Sequence, residues 1–164
     1  MVSASSDGRR RFIAYTPVVL WAAFILILGS GPGSSAQTSR FIRPLIEFLF
    51  PGAAPDTFLL VHSFIRKAAH FIEYGILAIL AARAFSGFTN GVTKRHWPGF
   101  SLLTVLAVAM IDETNQSFNA ARTGSGWDAA LDFSGGIAGL LIFFFFTRYR
   151  RRKAARNTQT SAVV

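Results

Sequence analysis

The sequence predicts an all-α polytopic membrane protein, built as a four-transmembrane-helix bundle with a short interfacial or re-entrant helix after the first span. The 164 residues are 51% hydrophobic and include 17 Phe, and the mean hydropathy is +0.39, which is too apolar for an ordinary soluble domain. Four stretches approach the roughly 20 apolar residues that cross the hydrocarbon core. Lys and Arg residues cluster beside these stretches, as they do in membrane proteins.

The first span is predicted over residues 12–29, directly after Arg9, Arg10 and Arg11. Pro17 is expected in its first turns, where a missing amide hydrogen costs little. A signal peptide has the same pattern of basic, apolar and small residues, with Ser34, Ser35 and Ala36 in the place of its cleavage region. Whether the first span is cleaved is therefore left open.

A Phe-rich stretch from Arg40 to Phe50 follows, with Pro44 near its expected start. It is too short to cross the membrane. It predicts a helix that lies in the membrane interface, and a loop packed over the bundle is the alternative.

The distribution of basic residues orients the chain. The remaining spans are predicted over residues 64–85, 97–116 and 128–147. The transmembrane domain then covers residues 12–147, between a basic N-terminus at 1–11 and a basic tail at 148–164. Twelve of the 17 Lys and Arg residues lie in these two termini and in the loop after the second span. The positive-inside rule places them in the cytoplasm, with the polar ends of spans two to four at the outer leaflet.

The same charge pattern excludes other classes of protein. The net charge of +9 could indicate nucleic-acid binding, but the basic clusters flank apolar runs instead of forming one basic face. Contact with anionic lipid explains them better, so no nucleic-acid partner is expected. The sequence contains no Cys, which excludes disulfides and thiolate chemistry.

Ionisable residues within the predicted spans indicate a functional site, because such groups are costly at membrane depth. Lys67, His70 and Tyr74 share one helical stripe, with Glu73 three residues after His70. Asp112 and Gln116 are i, i+4 partners, as are Asp128 and Asp132, while Glu113 points about 100° away from Asp112. Arg122 lies in the loop between them. The predicted ligand-binding set is Lys67, His70, Tyr74, Asp112, Glu113, Gln116, Arg122, Asp128 and Asp132, and the catalytic candidates are His70, Glu73, Asp112 and Glu113.

The five carboxylates of this set cannot all stay ionised in a low dielectric without cations. Lys67 and Arg122 are the nearest cations in the sequence. His and carboxylate ligands also suit Zn or Mn, although no standard metal motif is present, so a divalent metal is left open and its identity unknown. The alternative is a structural ion-pair network that holds three helices together. Gly135 and Gly139 form a small-xxx-small pair that predicts close helix packing.

Three segments together resemble the VanZ-like family. They are R-K-A-A-H-F-I-E-Y-G-I-L, D-E-T-N-Q-S-F and R-T-G-S-G-W-D-A-A-L-D-F-S-G-G-I-A-G. The chain departs from the family pattern at Asp132, where Asn is frequent, and at Arg66, where Asp is common. The positions that match the family pattern are Lys67, His70, Tyr74, Asp112, Glu113, Gln116, Arg122 and Asp128.

The resemblance implies a multi-pass protein of the bacterial cytoplasmic (inner) membrane, in a family named for a member associated with low-level teicoplanin resistance. We therefore expect an outward-facing site that acts on or binds a cell-envelope component, such as a lipid-linked cell-wall precursor. Lys67 and Arg122 would hold an anionic group, the carboxylates Asp112, Glu113 and Asp128 would pair with them or hold a cation, and His70 would shuttle a proton. The alternatives are a membrane-embedded hydrolase or transferase, a proton- or cation-coupled transporter, and a structural or partner-binding module.

Overall fold

The structure is a computed structural model, and its described secondary structure is entirely α-helical, which confirms that the fold is all-α. It describes residues 2–30, 35–49, 51, 52, 54–87, 92–117 and 126–161. The helices are α1 (Val2–Ser30), α2 (Ser35–Leu49), α3 (Pro55–Ser86), α4 (Val92–Arg95), α5 (Trp97–Ser117) and α6 (Gly126–Ser161).

Three of these helices are long and apolar enough to cross a membrane, which makes this a multi-pass membrane protein. They contain the segments Gly8–Gly29, Pro55–Ser86 and Trp127–Gln159. The predicted span over 97–116 coincides with α5, but this helix is not among the three. Its last turns carry Asp112, Glu113 and Gln116, which lower its mean hydropathy.

Two helices begin earlier than predicted, so their prolines lie in helix interiors. α1 begins at Val2 rather than near residue 12, which puts Pro17 in mid-helix and leaves the carbonyl of Ile13 without its i+4 amide donor. One residue earlier, the Thr16 hydroxyl donates to the Phe12 carbonyl at 2.7 Å. α2 begins at Ser35, so Pro44 is also internal. The expectation that these prolines open their helices is wrong.

Two other helices also extend beyond the predicted spans. α3 begins at Pro55, a residue suited to a first helical position, instead of near residue 64. α6 continues through the basic tail to Ser161, because Arg, Lys and Ala are strong helix formers.

The stretch after the first span is a helix rather than a loop. Ile46 of α2 is buried, while Phe48 on another face is 81% exposed. Arg43 pairs with Glu47 at 2.8 Å and lies over the ring of Phe58 at the start of α3. The loop alternative is therefore wrong, and the interfacial position of α2 stays a prediction.

α3 is the central helix of the bundle and contacts α1, α5 and α6. α1 runs antiparallel to it, since Tyr15 packs against Phe85 and the indole nitrogen of Trp21 donates to the Glu73 carbonyl at 2.9 Å. Apolar side chains and small Ala residues fill the core around α3, among them Ile25, Tyr74, Leu77, Ala78, Ala81 and Val105.

α5 runs antiparallel to both α3 and α6. At one end Phe100 packs against Phe85, and Trp97 packs edge-on against Phe143 with 5.5 Å between ring centroids. Further along, Asp112 of α5 reaches Tyr74 of α3. α3 and α6 consequently run parallel to each other, so three helices bring their polar ends to one level.

The parallel pair α3 and α6 approaches closely through glycines. A Cβ at Gly139 would overlap the backbone of Gly75, and a Cβ at Gly135 would overlap the backbone of Phe71. Only residues without a side chain fit at these two points of contact. The small-residue packing predicted from the sequence is confirmed.

Candidate functional site

The deepest polar residue of the site is Asp112 of α5, which is completely buried. Its Oδ2 accepts hydrogen bonds from the Gln116 amide at 2.8 Å and from the Tyr74 hydroxyl at 3.4 Å. Gly29 of α1 lies directly against the carboxylate, where an added Cβ would collide with Oδ1. The i, i+4 relation to Gln116 that the sequence predicts therefore fixes the orientation of this buried acid.

Asp132 of α6 faces His70 of α3 beside this acid. Its side chain is 1% exposed and its Oδ1 lies 3.6 Å from Nδ1 of His70, which is longer than a hydrogen bond. Among the described residues, no hydrogen-bond partner reaches either oxygen of Asp132 or Oδ1 of Asp112. Unpartnered buried carboxylate oxygens are rare, because each loses its hydration without compensation.

One turn nearer the N-termini of the same two helices, Lys67 and Asp128 form the outer layer of the site. Lys67 Nζ lies 3.6 Å from Asp128 Oδ1, with side chains 52% and 29% exposed. A cavity of about 10 Å³ lies between this pair and the buried acids. It is lined by Arg66, Lys67, His70, Glu113, Gln116, Asp128, Leu131 and Asp132.

The buried part of the site has ligands suited to a metal ion. One ligand atom each from His70, Asp112 and Asp132 lies within 4.8 Å of the other two. Each residue comes from a different helix, so the set exists only in the folded bundle. An imidazole with two carboxylates is a ligand set that divalent transition metals accept.

The structure brings most of the predicted site residues together. Tyr74 and Asp112 lie beneath the cavity, while Glu73 does not line it and is fixed through its backbone carbonyl to Trp21. Arg122 lies outside the described residues. The predicted residues that line the cavity are Lys67, His70, Glu113, Gln116, Asp128 and Asp132.

Sequence reasoning missed the part that α1 plays in the site. The sequence pattern indicates only that Gly29 ends the first span, yet this glycine makes room for the carboxylate of Asp112. No local pattern could have predicted this contact, because the two residues are more than eighty positions apart.

The fold and the site define a helical membrane protein with a polar cluster buried between its helices. The model of the VanZ/LLP1 family matches residues 12–147, so the chain belongs to the VanZ/LLP1 family, which confirms the resemblance found in the motifs. Curated protein sequences give no significant match, and neither do solved structures.

Proposed function

We propose that the chain crosses the membrane four times, with α5 as the third span. In support, α3 and α6 lie side by side and run parallel. If both helices cross the membrane in the same direction, the chain between them must cross it once in the opposite direction. α5 is antiparallel to both, and its 21 residues extend about 31 Å, close to the thickness of the hydrocarbon core. Four crossings also put both termini on the cytoplasmic side of a bacterial inner membrane, as the basic residues predict.

Cysteine labelling tests this topology, because the natural sequence has no Cys. We expect Ser117→Cys, at the exposed end of α5, to react with a membrane-impermeant maleimide in intact cells. Lys94→Cys in α4 is expected to react only after permeabilisation, since a spanning α5 separates the two positions. Labelling of both positions from the same side would contradict the third span, and denatured protein provides the control for reactivity.

The function we propose is binding of the anionic headgroup of a cell-envelope component at the outer leaflet. The observation that carries it is the half-exposed Lys67 at the edge of a polar cavity within the helical bundle. Its ion pair with Asp128 is long and partly solvated, and such pairs contribute little stability. A phosphate or carboxylate can therefore compete for the ammonium group at small cost.

The position of the cavity supports a lipid-linked ligand. Leu131 is part of its lining, and Phe64 and Trp127 near the cavity level are 73% and 84% exposed. Exposed apolar side chains at this level suit contact with acyl or polyprenyl chains. A lipid-linked cell-wall precursor combines such a chain with a phosphate headgroup.

Binding of a polyprenyl phosphate and of the uncharged polyprenol tests this function. We expect the purified protein to prefer the phosphate, and Lys67→Gln to weaken phosphate binding about tenfold or more, because hydrogen bonds to charged groups contribute about 1.5–3 kcal/mol. Lys94→Gln removes the same charge from an exposed position outside the cavity lining and is the matched control. Microscale thermophoresis in detergent gives the dissociation constants.

Two results would contradict headgroup binding. Equal affinity for the phosphate and the alcohol would remove the role of the charge. Equal weakening by Lys67→Gln and Lys94→Gln would attribute binding to the overall charge of the protein and not to Lys67.

A further inference from the structure

We propose that His70, Asp112 and Asp132 bind a divalent transition-metal ion of the zinc or manganese type. Their ligand atoms lie within 4.8 Å of one another. Metal–ligand bonds of about 2.0–2.2 Å hold donor atoms within roughly 4.4 Å of each other, so small side-chain rotations close the set around an ion. The site does not depend on the headgroup proposed above.

The unpartnered carboxylate oxygens carry this inference. Asp112 is 0% and Asp132 is 1% exposed, yet among the described residues three of their four oxygens have no hydrogen-bond partner. A purely structural network would be expected to satisfy such groups, because a half-satisfied buried network is less stable than an apolar core. A bound cation supplies the missing partner to both acids at once.

The charges agree with a divalent ion. Two ionised carboxylates add two negative charges to a site shielded from water, and a divalent cation balances them. Lys67 pairs with Asp128 in the outer, more exposed layer. Burial of uncompensated charge costs several kcal/mol per ion even after relaxation, which makes the ion's charge a major part of the site's stability.

The neighbours of the three ligands hold them in position. Tyr74 and Gln116 both donate to Oδ2 of Asp112 and fix the orientation of its carboxylate. The ring of His70 stacks on Tyr74, with 6.5 Å between the centroids. Hydrogen bonds that orient the ligands in this way are typical of metal sites.

The cavity beside His70 and Asp132 provides room for further ligands. Three protein ligands leave coordination positions open, as in metal sites that bind water or substrate. The cavity has about the volume of one water molecule and is bordered by the solvated pair of Lys67 and Asp128. Water or an anionic oxygen arriving from that side completes the coordination shell.

Metal analysis of tag-free protein tests the site. The protein is purified in mild detergent, stripped with EDTA, incubated with Zn²⁺ or Mn²⁺, desalted and analysed by mass spectrometry of the metal. We expect about one ion per chain for the natural sequence with at least one of the two metals. His70→Gln and Asp132→Asn are expected to reduce the bound metal to about a tenth or less, because removal of a ligand should cost at least as much as loss of an outer-shell partner, which lowers metal affinity about 10–100-fold.

Matched controls separate this site from adventitious binding. His96→Gln and Asp56→Asn change an exposed His and an exposed Asp outside the cavity lining, and both variants are expected to retain the ion. Co²⁺ gives a second readout, since its visible absorption reports nitrogen and carboxylate ligation, and this spectrum should disappear only in the site variants.

The natural protein alone decides the case if a site variant fails to fold. No bound ion, no Co²⁺ spectrum and no metal-dependent rise in its melting temperature would overturn the proposal. Retention of the ion by correctly folded His70→Gln and Asp132→Asn would also overturn it. Binding of polyprenyl phosphate by the EDTA-treated protein is measured in parallel, so failure of the metal site is distinguished from failure of headgroup binding.

Discussion

Replacement of Gly139 by Ala is expected to lower the free energy of unfolding by about 3 kcal/mol, the upper part of the range for overpacked cores. The added Cβ would overlap the carbonyl oxygen, carbonyl carbon and Cα of Gly75. These are backbone atoms within a helix, so no side chain can rotate away. α3 and α6 must move apart, which removes van der Waals contacts along the most extensive helix pair of the bundle.

Gly99→Ala is the matched control for this prediction. Gly99 lies near the start of α5 and has nothing within 4 Å of an added Cβ. Since Ala is a better helix former than Gly by about 1 kcal/mol in helix interiors, this variant should be neutral or slightly stabilised. Reversible unfolding in mixed micelles of SDS and a mild detergent gives both free energies. Equal stability of the two variants would show that α3 and α6 do not approach as closely as described.

Gly139→Ala should also disturb the site formed by α3, α5 and α6. Gly139 lies on α6, below Asp128 and Asp132, and these two acids meet Lys67 and His70 of α3. A wider spacing of the two helices lengthens both of these pairs. We therefore expect Gly139→Ala to weaken metal binding as well as stability, whereas Gly99→Ala should weaken neither.

The sequence predicts the helices because they follow from short-range patterns. Apolar runs of about 20 residues predict the spans, and the i, i+4 relation of Asp112 to Gln116 produces the observed hydrogen bond. The parallel run of α3 and α6 then brings Lys67 to Asp128 and His70 to Asp132. Motifs far apart in the sequence meet because α5 runs antiparallel to α3 and α6, which brings the polar ends of the three helices to the same end of the bundle.

Features that depend on long-range contacts could not be predicted in this way. Glu73 lies on the polar stretch of α3, but its backbone is tied to Trp21 and its side chain does not line the cavity. Gly29 is next to Asp112 only because α1 packs against α5. The helix starts were also misplaced, since polar residues before an apolar run can continue the helix outside the membrane.

Asp132→Asn is expected to raise the free energy of unfolding in the presence of EDTA, because it removes a buried charge, whose burial costs several kcal/mol even after relaxation. The substitution keeps the shape of the side chain and removes a charge whose two oxygens have no hydrogen-bond partner among the described residues. Because Asn has nearly the same size and shape as Asp, the variant should fold. Unfolding in mixed micelles provides the measurement.

In the presence of zinc or manganese, the natural protein should be more stable than Asp132→Asn, the reverse of the order expected in EDTA. A ligand that binds only the folded protein adds about 2.7 kcal/mol at a free concentration one hundred times its dissociation constant. The natural protein gains this stability and Asp132→Asn does not. Asp128→Asn, which changes a partly solvated acid one turn away, should alter stability by less than about 1 kcal/mol in either condition.

The sign of the change in unfolding free energy caused by Asp132→Asn in EDTA distinguishes a functional site from a structural network. If the buried acids served only to hold α3, α5 and α6 together, Asp132→Asn would destabilise the protein by a similar amount with and without metal. In a binding site, the neutral variant is expected to stabilise the metal-free protein. The reason is that the metal-free site contains unsatisfied charge, which the bound ligand compensates. Stabilisation in EDTA and loss of the metal response in the same variant would be inconsistent with a purely structural role for Asp132.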